Sequence, residues 1–458
     1  MKDRSVVAIA LLIVAVLIGD GVAVATHRSD VTGWDARVLP IVDFVQEHRG
    51  LRFKRSVPVD FLDDADFDKQ VAPDRKETAA DKQALEQFLG ELRALRLVSG
   101  KVDLGKAEDD LAKSSIIGLY VPSKKAVFVR GTVLTPAVRV VLAHELTHVL
   151  QDQYFDVAKL KKDAPGGDSG AVTALIEGDA VRIQDDYTES MSAADQKAYR
   201  AETIRESKAA QSGSSGVPAV LSDFLGFPYA FGPVLLAQLL AAGGNDEVDK
   251  AFRHPPSEEA QVFDPLHHPY TEDPLALPAP TLPAGAKRVG KPAPFGMVSL
   301  FEVLSGRLTY TEALTAVRGW KGDTSQTYTQ SGTTCVAIDV TSTGNALLLG
   351  ARTWAAAAHV AVTTKDDVTR IRACDPGAGS RTPAQPKPSA FDVLTARAVI
   401  LSAFVTKGTP IDKATCLVDG LIARLGPARY PLLVASDLTP SDEALIRGLV
   451  TSSAQACV

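Results

Sequence analysis

The residues best placed to do chemistry are His144, Glu145 and His148, in the run His144-Glu145-Leu146-Thr147-His148. On a helix, His144 and His148 lie one turn apart on one face, where both imidazoles can reach a single metal ion. Glu145 then projects about 100° away, in position to take a proton from a water that the metal activates. With eight histidines in 458 residues, chance produces this spacing in roughly one such chain in a hundred. The surrounding sequence therefore has to decide.

Thr135-Pro136 supplies a helix N-cap and a proline for the first turn, and neither Gly nor Pro interrupts residues 137–155. On a helical wheel Ala137, Val140, Val141, His144, His148 and Gln151 share one face. Val138, Leu142, Leu146 and Val149 lie opposite, so the helix is buried on both sides. Buried polar groups need partners. Backbone carbonyls would satisfy a pair of core histidines, whereas a metal satisfies both histidines and the glutamate.

The next expected helix spans residue 170 to about 191, with Asp168-Ser169 able to cap it, and carries Glu177 after the apolar run Ala174-Leu175-Ile176. A zinc site that works on water needs three protein ligands and one open position, and His2Glu is a known set. Glu177 is the candidate third ligand; as an ordinary helix carboxylate it would pair with Arg182 or a neighbour. Asp179 and Asp152 are either carboxylates that orient a ligand histidine or exposed helix charges.

HELTH followed by a glutamate on the next helix resembles the gluzincin branch of zinc metallopeptidases, the thermolysin-like group. HELTHVLQDQYF (residues 144–155), EGDA (177–180) and GWKGD (319–323) resemble more closely a set of exported actinobacterial metallopeptidase-like proteins of unassigned substrate. GLYVP (118–122) and FPYAFG (227–232) are similar to that set too, and the likeness runs over residues 34–375. It implies Zn2+ held by His144, His148 and Glu177, with Glu145 as general base. One departure stands out. Relatives tend to carry His-Pro at the end of a Pro-Pro-Ser-Thr-Glu-Gln-like stretch, but here Pro255-Pro256-Ser257 leads to Asp264-Pro265. His254, His267 and His268 are close enough in sequence to substitute.

These residues predict an exported zinc-dependent peptidase acting on peptides or proteins in the cell envelope or outside it. A donor must also stabilise charge on the attacked carbonyl oxygen, and Tyr229, His254, His267, His268 and Tyr270 are the candidates. The alternative is a non-catalytic cell-envelope binding or scaffold protein that retains a zincin fold. Glu145 argues against it, since a structural site needs no base; the Asp264 departure argues for it. Gly167-Asp168-Ser169-Gly170 resembles the loop around a serine-protease nucleophile, but it opens a helix, where Asp and Ser have an ordinary capping use. No GxxxxGK[ST] is present, which leaves a nucleotide enzyme unsupported.

A net charge of −6, without a Lys/Arg block interleaved with aromatics, argues against a nucleic-acid surface. Lys2 and Arg4 precede the apolar residues 6–19, and Ala23-Val24-Ala25 follows. Residues 1–29 thus read as a signal peptide or as an uncleaved single-pass membrane anchor, and both imply export. Cys335, Cys374, Cys416 and Cys457 are even in number and lack CxxC spacing, which in an exported chain predicts two disulfides. Of three connectivities, Cys335–Cys374 with Cys416–Cys457 is favoured because a Pro/Gly-rich stretch separates the pairs.

The expected fold is α+β: a zincin-like metallopeptidase domain over residues 30–375, with an active-site helix and a small mixed sheet. A Pro/Gly/Ser-rich linker (376–389) and a small disulfide-stapled helical module (390–458) follow. Expected elements include helices over 34–49, 79–98, 229–242 and 345–359, an extended run over 51–62, and strands near 118–120, 126–130, 327–328, 336–340 and 368–374. The strand at 126–131 is either the edge that pairs with extended substrate or an ordinary core strand. The Pro-rich segment 254–294 is either a lid over the metal site or a surface wrap.

Overall fold

The computed structural model describes residues 33–71, 78–107, 116–164, 169–213, 217–381, 388–435 and 438–457. The candidate signal segment 1–29, Gly167-Asp168 and residues 382–387 of the expected linker lie outside them. Helices dominate and the strands collect in two small sheets, so the fold class is α+β.

The first sheet joins β1 (Val59–Leu62), β2 (Gly118–Val121) and β3 (Ala126–Arg130) in the order β1-β3-β2. It is mixed: β1 runs parallel to β3 and β2 antiparallel. The extended run expected over 51–62 narrows to its last four residues, the ones that pair with β3. Helices α1 (Leu39–Arg49) and α2 (Pro136–Phe155) pack on this sheet side. Thr135 caps α2 by accepting from Val138 N at 3.3 Å, and Pro136 occupies its first turn. Val138, Leu142, Leu146 and Val149 of α2 share a core with Ile41, Val45, Val127 and Val129.

The other flank of α2 packs on α3 (Ser169–Ser190), and α3 packs on α4 (Ala219–Gly243). The α3–α4 crossing is a backbone contact. A Cβ on Gly178 would lie 2.4 Å from the Gly232 carbonyl carbon, and one on Gly232 would lie 2.1 Å from the Ala174 oxygen. Helix α4 begins at Ala219 rather than near Tyr229 and continues through Pro228 and Pro233. Among the described helices it alone is long and apolar enough to cross a membrane, yet Phe231, Val234 and Leu235 bury it in the main core. Helix α5 (Asn245–Arg253) follows.

The second sheet is antiparallel, in the order β4-β5-β6-β8-β7. Its strands are β4 (Lys287–Arg288), β5 (Trp320–Gln330), β6 (Thr333–Ser342), β7 (Ala361–Lys365) and β8 (Val368–Cys374). Segment 254–294 runs along β5: Leu275 N donates to Lys321 O at 2.8 Å and Val289 N to Thr327 O at 2.9 Å. Those bonds make it a wrap on the second sheet. A cleft of about 460 Å³ between the segment and β5, lined by Gln261, His268, Arg318 and Trp320, shares no lining residue with the HELTH region.

Cys335 faces Cys374 across β6 and β8, and a disulfide joins them. The second disulfide, Cys416–Cys457, ties α7 (Ile411–Leu425) to α8 (Pro440–Ala456), with α6 (Ala390–Thr406) before them. Two disulfides suggest an exported or extracellular protein. Helices α6, α7 and α8 share a core that is continuous with that of the preceding residues. Phe391 of α6 packs against Phe231 of α4 and against Phe301.

Candidate metal centre

Helix α2 presents His144 and His148 one turn apart, and α3 brings Glu177 to meet them. His144 Nε2 and His148 Nε2 are 3.0 Å apart, and each lies 3.3 Å from Glu177 Oε2. His144 and Glu177 are buried. Together the three side chains form a group that could hold a metal ion. Tetrahedral zinc bonded at 2.0–2.1 Å sets its ligand atoms about 3.3–3.4 Å apart, so the observed triangle needs almost no adjustment to accept that ion.

The charges agree with the geometry. Burial works against a charged His148, but Glu177 and Glu145 outweigh it, and the imidazole is pushed up to about 9. Burial likewise works against a charged Glu177, yet the facing His148 and His144 hold its carboxyl well below the ordinary range.

Glu145 stands beside the three ligands and outside their set. Its Oε2 accepts a hydrogen bond from Tyr120 N at 2.7 Å, which anchors it to β2. Asp152 holds the same strand: its Oδ2 accepts from Tyr120 Oη at 2.7 Å and from Lys125 Nζ at 2.6 Å. Asp152 therefore ties the β2–β3 hairpin to α2 and orients no ligand histidine. Asp179 lies behind His148 and reaches it through Gln151.

Of the two readings of residues 126–131, the core strand is the one observed. β3 is flanked on both sides, and β2 forms the sheet edge nearest Glu145. The amide pattern of an antiparallel pair alternates. Arg130 N bonds to Ile117 O, so the amides of Gly118 and Tyr120 face away from β3, and that of Tyr120 faces the site.

Among the oxyanion-donor candidates, Tyr229 is the one brought to the centre. Its ring stacks on His144 at 6.1 Å between centroids and 18° between planes. Although 41% of the residue is exposed, its hydroxyl feels the Glu177 and Glu145 carboxylates. Burial, with the Glu177 and Glu145 carboxylates, keeps the phenol protonated far above its usual range. The other candidates are engaged elsewhere. His267 Nδ1 lies 3.0 Å from Asp264 Oδ2, His268 packs edge-on to Trp320, Tyr270 Oη donates to Glu247 at 3.0 Å, and His254 is exposed at the end of α5. Asp264 itself belongs to a charge network with His267, Arg318 and Arg397.

Sequence reading alone passed over Gln151 and Tyr120 as site residues. Gln151 had a signal, since it lies three residues after His148 on the histidine face; the Tyr120 amide had none, because backbone groups carry no residue type. No family model, curated protein or solved structure matches this chain.

Proposed function

We propose that this protein is an exported zinc-dependent peptidase with a zincin-like fold and a gluzincin-type site. His144, His148 and Glu177 would hold the zinc, and Glu145 would act as general base. One observation carries the reading: three ligand atoms from two helices converge at 3.0–3.3 Å, with a carboxylate next to them that is not a ligand. Zinc bound there supplies a Lewis acid that polarises a peptide carbonyl and makes water easier to deprotonate. Glu145, held by the Tyr120 amide, takes the proton and passes it to the leaving amine. Tyr229 donates its hydroxyl to the charge that develops on the carbonyl oxygen. The β2 edge beside Glu145 offers the outward Gly118 amide to an extended peptide or protein substrate, the Tyr120 amide being held by Glu145.

Metal analysis combined with a peptide-library screen tests the reading. The purified chain should carry one zinc per molecule, and Glu145→Gln should keep the metal while losing cleavage. Iron in place of zinc, or no stoichiometric metal, would sink it. A zinc-loaded chain that cleaves nothing and binds an envelope partner would instead support the scaffold alternative.

A further inference from the structure

Behind His148 the centre is wired to a buried ion cluster. His148 Nδ1 lies 2.8 Å from Gln151 Oε1, and Gln151 Nε2 donates to Ile176 O at 2.9 Å and to Asp179 Oδ2 at 3.1 Å. Asp179 also accepts from Arg49 Nε at 2.8 Å and from Arg182 Nη2 at 2.8 Å. Arg49 in turn reaches Asp249 of α5 at 2.7 Å. Gln151, Asp179 and Arg49 are all 0% exposed.

An amide side chain has one accepting end and one donating end. Both amide hydrogens of Gln151 are taken, one by a carbonyl and one by a carboxylate. Turning the amide over would set its oxygen against both of those acceptors, in a site where a lost hydrogen bond is not replaced by water. Only Oε1 is therefore left for His148. A nitrogen facing that oxygen must carry the hydrogen, so the lone pair of the neutral ring lies on Nε2, which points at Glu177 and His144.

We propose that Gln151, locked by the Arg49–Asp179–Arg182 cluster, is a positioning residue that selects the Nδ1–H tautomer of His148 and so sets the cation affinity of the centre. The inference rests on the metal-centre reading. It gives α1, which contributes no ligand, a share in the site: Arg49 fixes Asp179, Asp179 fixes the amide, and the amide fixes the imidazole.

Nitrogen-15 spectra of the zinc-loaded wild type test this without any substitution. His148 should bind through Nε2 and carry hydrogen on Nδ1; binding through Nδ1, or a bare Nδ1, overturns the proposal. Chelator competition for zinc extends the test. Gln151→Leu should weaken binding by about 10–100-fold. Gln151→Glu keeps an acceptor facing Nδ1 although its second oxygen then faces Ile176 O and Asp179, and it should bind zinc at least about threefold more tightly than Gln151→Leu. Equal losses in both variants, or none in either, overturn the proposal, with metal-free melting temperatures showing whether a loss reflects unfolding. Should Gln151→Leu fail to fold, the wild-type spectra decide. A wild type that binds no zinc overturns both this proposal and the metal-centre reading, whereas a tight-binding wild type with an unaffected Gln151→Leu overturns the relay alone.

Discussion

Five side chains divide the proposed chemistry between them, with Glu145 as the base. His144, His148 and Glu177 would supply ligand atoms, and Tyr229 stacks on His144. If the Tyr229 hydroxyl acts mainly on the transition state, Tyr229→Phe should lower kcat by about 10²–10³-fold and leave KM and zinc content nearly unchanged. Steady-state kinetics with metal analysis check this; a change confined to KM would make Tyr229 a binding group only. The raised pKa of His148, about 9, sets a second expectation. A metal must displace that proton, so below pH 9 zinc affinity should fall as pH falls, by up to about tenfold per pH unit. Competition with a chelator at pH 6, 7 and 8 measures the slope.

At the scale of elements, the site depends on how closely two helices approach. Glu177 precedes Gly178, Tyr229 lies three residues before Gly232, and the two glycines touch backbone to backbone. A methyl group on either one meets main chain, which cannot rotate away. Gly178→Ala should therefore cost about 1–3 kcal/mol and weaken metal binding, because the strain falls next to a ligand. Gly226, on the same helix α4, has open space where a Cβ would go. There, alanine should be neutral or stabilising by about 0.5–1 kcal/mol. Denaturant melts of the two variants separate a helix-wide effect from a crossing effect. The β2–β3 hairpin is the other positioning element, fixed to α2 by Glu145 and by Asp152.

For the whole molecule, buried carboxyls determine how stability responds to pH. Burial pushes Glu91 up to about 7. Burial, with the neighbouring carboxylates, pushes Asp223 up to about 7 and Glu302 up to about 8. Each favours the neutral form in the folded chain. Its contribution is thus complete below the ordinary carboxyl range and is lost as pH rises through the raised value. Stability should decline between about pH 5 and pH 8, and Glu91→Gln should recover about 3 kcal/mol at pH 8 and little at pH 5. Flat melting temperatures across that window would contradict the assignment. The disulfide Cys416–Cys457 closes 41 residues of sequence separation around α7 and α8. Removing it with a Cys→Ser pair should cost about 2–4 kcal/mol. Because Phe391 packs against Phe231 of α4, the loss should appear in the main unfolding transition rather than in a separate one.

Much was legible from local pattern alone. The histidine helix, its Thr135 cap, the α+β class and the pairing of the four cysteines follow from spacing, capping chemistry and chain separation, which act over a few residues or along a single segment. Glu177 was legible too, because a carboxylate after a buried apolar run needs a partner. Only the tertiary structure decided the rest. It brought Tyr229, among the five donor candidates, beside His144 and decided that β3 is a core strand with β2 at the edge. It also placed the Pro-rich segment on the second sheet and put Gln151 and Asp179 behind His148. Each of these depends on which distant segments come together, and a residue's type does not specify its neighbours across space. The chemistry of a side chain is local, but its partner is chosen by packing.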